Sequence, residues 1–255
     1  MNKGSIGPRL NFLAQTLRTR KLCKTIKPLS DAALELNSKN SVAGEWGYNL
    51  QNLIFDINEV PRGTMPNNVK SLQIILNVEI HAKEYQEEDI CNPIIIRERN
   101  GIKEDYSFSL KIWGLSNGQK VVAHWHLDYD SKKNNEYIHP DFHLTFGGNG
   151  MKEEDDDENS VFGKALILPS PRLFCPPMDA ILGIDFVLRN FVKKNITEEI
   201  ANISQYKVAV RDAQKCLWRP YMLSIAQHWC KFLNCQNYKM EDSLLSKRYI
   251  PFLMD

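Results

Sequence analysis

Long apolar runs are missing from this 255-residue chain, and so is any surplus of charge, with 32 Lys and Arg against 31 Asp and Glu. Near-neutrality excludes a nucleic-acid partner held by overall charge. The most hydrophobic stretch, residues 181–192, is interrupted by Asp185 and Arg189, which excludes a membrane span there. The first residues carry charges but no apolar core of signal-peptide length, so the expected location is the cytoplasm, with no membrane partner. Cysteine is sparse: Cys23, Cys91, Cys175, Cys216, Cys230 and Cys235 are scattered with no C-x-x-C. That spacing excludes the dense disulfide framework of small secreted domains and leads us to expect reduced thiols. A P-loop, a dinucleotide fingerprint, a nucleophile elbow and an internal repeat are all lacking. The glycines Gly147, Gly148 and Gly150 are followed by no helical pattern that could offer its N-terminus to a phosphate.

What is present is ordinary globular material, 43% hydrophobic and 10% aromatic, enough for one large domain or two small ones. Leu10, Leu13, Ala14 and Leu17 recur at helical spacing after Pro8, with Arg9, Arg18, Arg20 and Lys21 bordering the polar side. Residues 1–28 hold seven cations and no acid, whereas residues 153–158 are six consecutive acids. Residues 35–48 and 61–69 read as loops around a short strand at 50–57. The period then becomes two over residues 72–80, 106–112 and 120–128, and Asn117-Gly118 marks a tight hairpin between the last two. Further strands are expected at 142–146 and 165–168, with a mobile acidic loop at 152–160 between them and proline pairs ending the sheet. From Met178 the period is helical: Met178, Ile181, Ile184, Leu188 and Phe191 form a stripe, widened by Leu182, Phe186 and Val192. Two further helices are expected over 197–218 and 220–233. The expected fold is a single α+β domain, an antiparallel meander sheet with helices before and after it packed on one face. Its parts are a basic helix within 1–30, a sheet region over 50–168, a helical part over 176–235 and a tail from 236 to 255.

Four of the six histidines fall within twenty residues. Strand alternation puts His124, His126 and Asp128 on one face, and the phase of residues 142–146 lets His143 join them; Glu79 and His81 share that phase. Two chemistries use such a set. Imidazoles act as general acid and base near neutral pH, and with Arg172 or Lys111 to stabilise an oxyanion they cleave a phosphodiester without metal. Alternatively His124, His126, Asp128 and His139 supply ligands for a divalent metal such as zinc. The third reading is a solvated sheet face, with His139-Pro140 as turn chemistry. His228, Cys230 and Cys235 are expected in the core rather than on a metal.

The run from His126-Leu127-Asp128-Tyr129-Asp130 through His139-Pro140 and His143-Leu144-Thr145-Phe146-Gly147-Gly148 continues with Pro169, Pro171-Arg172, Pro177-Met178-Asp179 and Asp185 to Phe191. Over roughly residues 120–195 it resembles a prokaryotic family of unknown function. That family has a Tyr-Asp pair, a His-Pro-x-x-His-Leu segment, a proline-rich turn and an aromatic helix, and the resemblance implies no activity. In architecture alone the chain is similar to small bacterial toxin ribonucleases, which set histidines on a compact antiparallel sheet. The ubiquitin-conjugating fold also has a His-Pro element, but Cys175 here has only Arg172 near it in sequence to activate its thiol.

The absence of strong catalytic signatures favours a subunit of a bacterial multi-protein system, of the anti-phage or toxin–antitoxin kind, acting through a protein partner and needing no cofactor. The alternatives are a ribonuclease-like phosphodiesterase with an RNA substrate, and a metal-binding protein. The acidic run is expected either to serve as an inhibitory or partner-binding element, drawn toward the basic segment at residues 18–27 of its own or a neighbouring chain, or to mark a site that does not see nucleic acid at all.

Overall fold

The computed structural model describes residues 3–36, 44–84, 93–95, 97–99, 102–104, 106–129, 140–147, 151, 173–229, 246 and 249–250. Period-two alternation builds the centre of the molecule. Strands β1 (Glu45–Ile57), β2 (Leu72–Lys83), β5 (Ser107–Ser116), β6 (Gln119–Tyr129), β7 (Phe142–Phe146) and β8 (Leu173–Phe174) form one antiparallel sheet in the order β1-β2-β5-β6-β7-β8. A separate two-stranded ribbon, β3 (Arg97–Arg99) with β4 (Ile102–Glu104), interrupts the meander between β2 and β5. The β5–β6 turn is the Asn117-Gly118 pair, both at positive φ (52° and 81°), the geometry whose twist matches the strands it joins.

One face of the sheet is covered by helices: α1 (Lys3–Thr19), α2 (Lys27–Leu36), α3 (Ala180–Phe191), α4 (Lys194–Ala201), α5 (Ser204–Ala213) and α6 (Arg219–Trp229), with a π-helical turn, Gln214–Trp218, joining the last two. Helix α2 packs on β1 and on α1, while α3 lies against β2 and reaches α1 and α5. Ile6, Leu10, Leu13, Leu17, Leu29, Leu36, Tyr48, Phe55, Leu76, Phe108, Ile181 and Ile184 are all buried in this layer. Gly183 permits the tightest approach. A Cβ there would lie 2.7 Å from Phe108 Cε2 and 3.1 Å from Leu76, so α3 sits closer to the sheet than any side chain would allow.

Helix α3 is anchored at its start by polar groups in the core. Asp179 is its N-cap, accepting from Leu182 N at 2.9 Å. Tyr48 Oη accepts from Ala180 N at 2.9 Å, and Trp218 Nε1 donates to the Pro177 carbonyl at 3.0 Å. Burial pushes the Asp179 carboxyl up to about 6, while backbone N–H groups, Leu182 foremost, and then Arg9 pull it back. Further along, Asp185 accepts from Arg189 Nε through both oxygens (2.9 and 2.8 Å) and from Tyr206 Oη at 2.7 Å, which locks α3 to α5.

Several expectations need correction. Helix α2 occupies residues read as partly loop, and β1 begins at Glu45 rather than near Leu50. The first helix starts before Pro8 and contains it. The first proline pair does not end the sheet, because β8 follows Pro171, and the sheet ends before the second pair at Pro176-Pro177. The helix expected over 197–218 breaks at Asn202–Ile203 into α4 and α5. Phe186, expected in the core stripe, is 37% exposed. The strand expected at 165–168 and the acidic run at 153–158 lie outside the described residues. Within the basic segment, Arg20 pairs with Glu199, Lys24 with Asp56 and Lys27 with Asp31, so three of its cations already have acidic partners.

Candidate functional site

The register settles which candidate residues share a face. Asp128 pairs with His143 and Ser107, His126 with Thr145 and Ser109, and His124 with Lys111. All of these point away from the helices. Glu79 stands in the same cross-strand row as Ser107 and Asp128, but two strands over, at roughly 10 Å by the usual strand spacing. His81 lies beyond it against Gly47, whose missing side chain leaves room for the ring. The expected convergence therefore contracts to β6 and β7, and Glu79 and His81 stand apart from it.

The histidines that remain are held by backbone and carboxylate. His124 Nδ1 lies 2.9 Å from the Gly147 carbonyl, which can only accept, so Nδ1 donates there. His143 is 5% exposed, and its Nδ1 faces the Pro140 carbonyl at 3.1 Å. His126 directs Nε2 to Asp128 Oδ2 at 3.2 Å, its Nδ1 is buried from solvent, and its ring stacks on His124 with centroids 5.4 Å apart. Phosphodiester cleavage by histidines needs one ring to take a proton and a second to give one. Each of the three rings is held through one nitrogen, His124 and His143 through Nδ1 and His126 through Nε2. His139 and Arg172 lie outside the described residues, and among the described ones no group of three His, Cys, Asp or Glu is placed to hold a metal ion. The Cys175 thiol is pushed up to about 11 by burial, the wrong direction for a nucleophile.

The opposite face carries a feature that residue patterns missed. The helices cover β1, β2 and β5, where the inward residues are buried, but they stop short of the start of β6 and the end of β7. Val121, Ala123 and Trp125 are only half-buried, and Phe146, stacked at a tilt on Trp125 with centroids 4.9 Å apart, is 43% exposed. Together with Ile112 and Leu72 they floor a groove of about 540 Å³. One wall is the loop from Pro61 to Val69, and the other is the end of α3 at Asn190 and Phe191. Phe186 packs beside Phe191 and extends the apolar surface along α3.

The loop wall is fixed in place. Thr64 N and Oγ1 both donate to the Pro61 carbonyl (3.1 and 2.7 Å), and Val69 N donates to Pro66 O at 3.2 Å. Asn68 Nδ2 donates to Asn117 Oδ1 at 2.7 Å and Ser116 Oγ donates to Asn68 Oδ1 at 2.9 Å, tying the loop to the hairpin tip. Gly114 completes the seat, since a Cβ there would meet Val69 Cγ1 at 2.7 Å and Ser71 O at 2.9 Å. No helix among the described residues is long and apolar enough to cross a membrane. Comparison of the chain with protein-family models, with curated proteins and with solved structures finds no match in any of the three.

Proposed function

We propose that this chain is a binding subunit of a multi-protein assembly and engages a protein partner through the groove between the 61–69 loop, β6, β7 and the end of α3. The observation that carries this reading is the pairing of half-buried Trp125 with exposed Phe146 at the floor of a preformed cleft. Exposed apolar patches rimmed by polar residues mark interaction sites, and aromatic side chains supply most of the energy at such contacts. On the other face the rings of His124, His126 and His143 are each tied through one nitrogen, to Gly147, Asp128 and Pro140.

The test is recovery of the tagged chain from the cells that make it naturally. Phe146→Glu places a charge on the groove without disturbing the buried layer and is expected to lose the co-purifying partner, while His124→Ala is expected to retain it. The opposite pattern would return the histidine face, and with it the ribonuclease-like reading, to first place.

A further inference from the structure

The groove's charges narrow its occupant. Of the described residues that line it, Arg62 is the only charged one. It is exposed and makes no ion pair among the described residues, and the same holds for Lys70 beside Val69. The acid nearest the wall in sequence, Glu59, is neutralised by Lys193 at 2.5 Å. Asn190 and Thr64 add polar atoms but no charge. The cleft therefore joins an aromatic floor to a wall that carries the cation Arg62, with Lys70 next to the wall residue Val69 in sequence.

Resting on the binding-subunit reading above, we infer that the groove takes a short peptide segment of a different protein, one that seats aromatic or aliphatic side chains on Trp125 and Phe146 and sets acidic residues against Arg62 and Lys70. Three properties select a peptide over other occupants. A volume of about 540 Å³ holds a few large side chains and not a domain. Phe146 and the 78%-exposed Met65 at its rim leave the cleft open to solvent, so an extended segment can reach its floor. The pinned 61–69 wall is already ordered, which lowers the entropy that a short ligand must overcome. Arg62 also gives acid recognition a planar donor fork, the geometry suited to carboxylates.

The experiment selects a random-sequence displayed peptide library on the full chain, with counter-selection on Phe146→Glu. The best sequence is then measured by fluorescence anisotropy beside a twin in which each Asp and Glu is replaced by Lys. Selected sequences are expected to place Asp or Glu beside Phe, Trp or Leu. The acidic peptide should bind about five- to ten-fold tighter than its twin, the scale that two exposed cations can set, and the margin should shrink with added salt. The double variant Arg62→Glu with Lys70→Glu should invert the preference, and circular dichroism of that variant checks its fold. Equal binding of both peptides, abolished by Phe146→Glu, would overturn the acidic class while leaving the groove as the interaction site. A groove filled by a second copy, seen as a dimer in sedimentation that Phe146→Glu dissolves, would overturn the peptide. Selection of no sequence, together with a natural partner still recovered by Phe146→Glu, would overturn both this inference and the functional reading beneath it.

Discussion

Tyr106 Oη lies 2.7 Å from both the backbone nitrogen and the carbonyl oxygen of Met178, accepting from one and donating to the other. One side chain thus satisfies both polar groups of a buried residue at the entry to α3, and so fixes where that helix meets the sheet. Tyr106→Phe leaves both groups without a partner and is expected to cost about 1–3 kcal/mol in urea unfolding, with the slope of the transition unchanged.

The close approach of α3 makes a second prediction against helix propensity. Ala is a better helix former than Gly by about 1 kcal/mol, yet Gly183→Ala should destabilise the protein by about 1–3 kcal/mol, because the methyl group meets Phe108 and Leu76. A rise in melting temperature would mean that the Phe108 ring moves aside freely.

Asp179 makes stability depend on pH. Its folded carboxyl is raised from 3.8 to about 6, so the native state holds the proton that the unfolded chain has already released between those values. Its contribution therefore favours folding below about pH 4 and weakens as pH rises through 6, by about 3 kcal/mol in all. Asp179→Asn keeps an N-cap acceptor and removes the buried charge. Unfolding curves at several pH values should show it matching the parent near pH 4 and exceeding it at pH 8.

Burial separates two α3 residues that the helical stripe grouped together. Ile181→Ala should cost about 2–5 kcal/mol, as for a fully buried aliphatic residue. Phe186→Ala should cost under about 1 kcal/mol and leave the fold intact, since its ring is exposed beside Phe191.

Much of this architecture was legible in the sequence, and the gaps have physical causes. Strands β2, β5 and β6 show clean alternation, and Asn117-Gly118 names its own turn. The fold class and the common face of His124, His126, Asp128 and His143 follow from period two alone. Helix α2 went unread although Leu29, Ala32, Ala33 and Leu36 repeat at helical spacing, because one ten-residue helix between loops gives a weak signal. Phe186 lies roughly 140° round from Ile181 at 100° per residue, so a strict angular count would have placed it outside. The groove was not readable. Alternation marks Trp125 and Phe146 as inward-facing, but how far a helical layer extends across a sheet depends on tertiary packing.

The groove, and not the histidine face, is the proposed seat of the partner. The most direct measurement is site-specific photo-crosslinking with benzoylphenylalanine at Phe146 and, separately, at Lys111 on the opposite face, in the cells that make the protein naturally. A discrete protein adduct is expected from position 146, suppressed by Arg62→Glu, and none from position 111. An adduct from position 111 alone, to protein or to RNA, would contradict it.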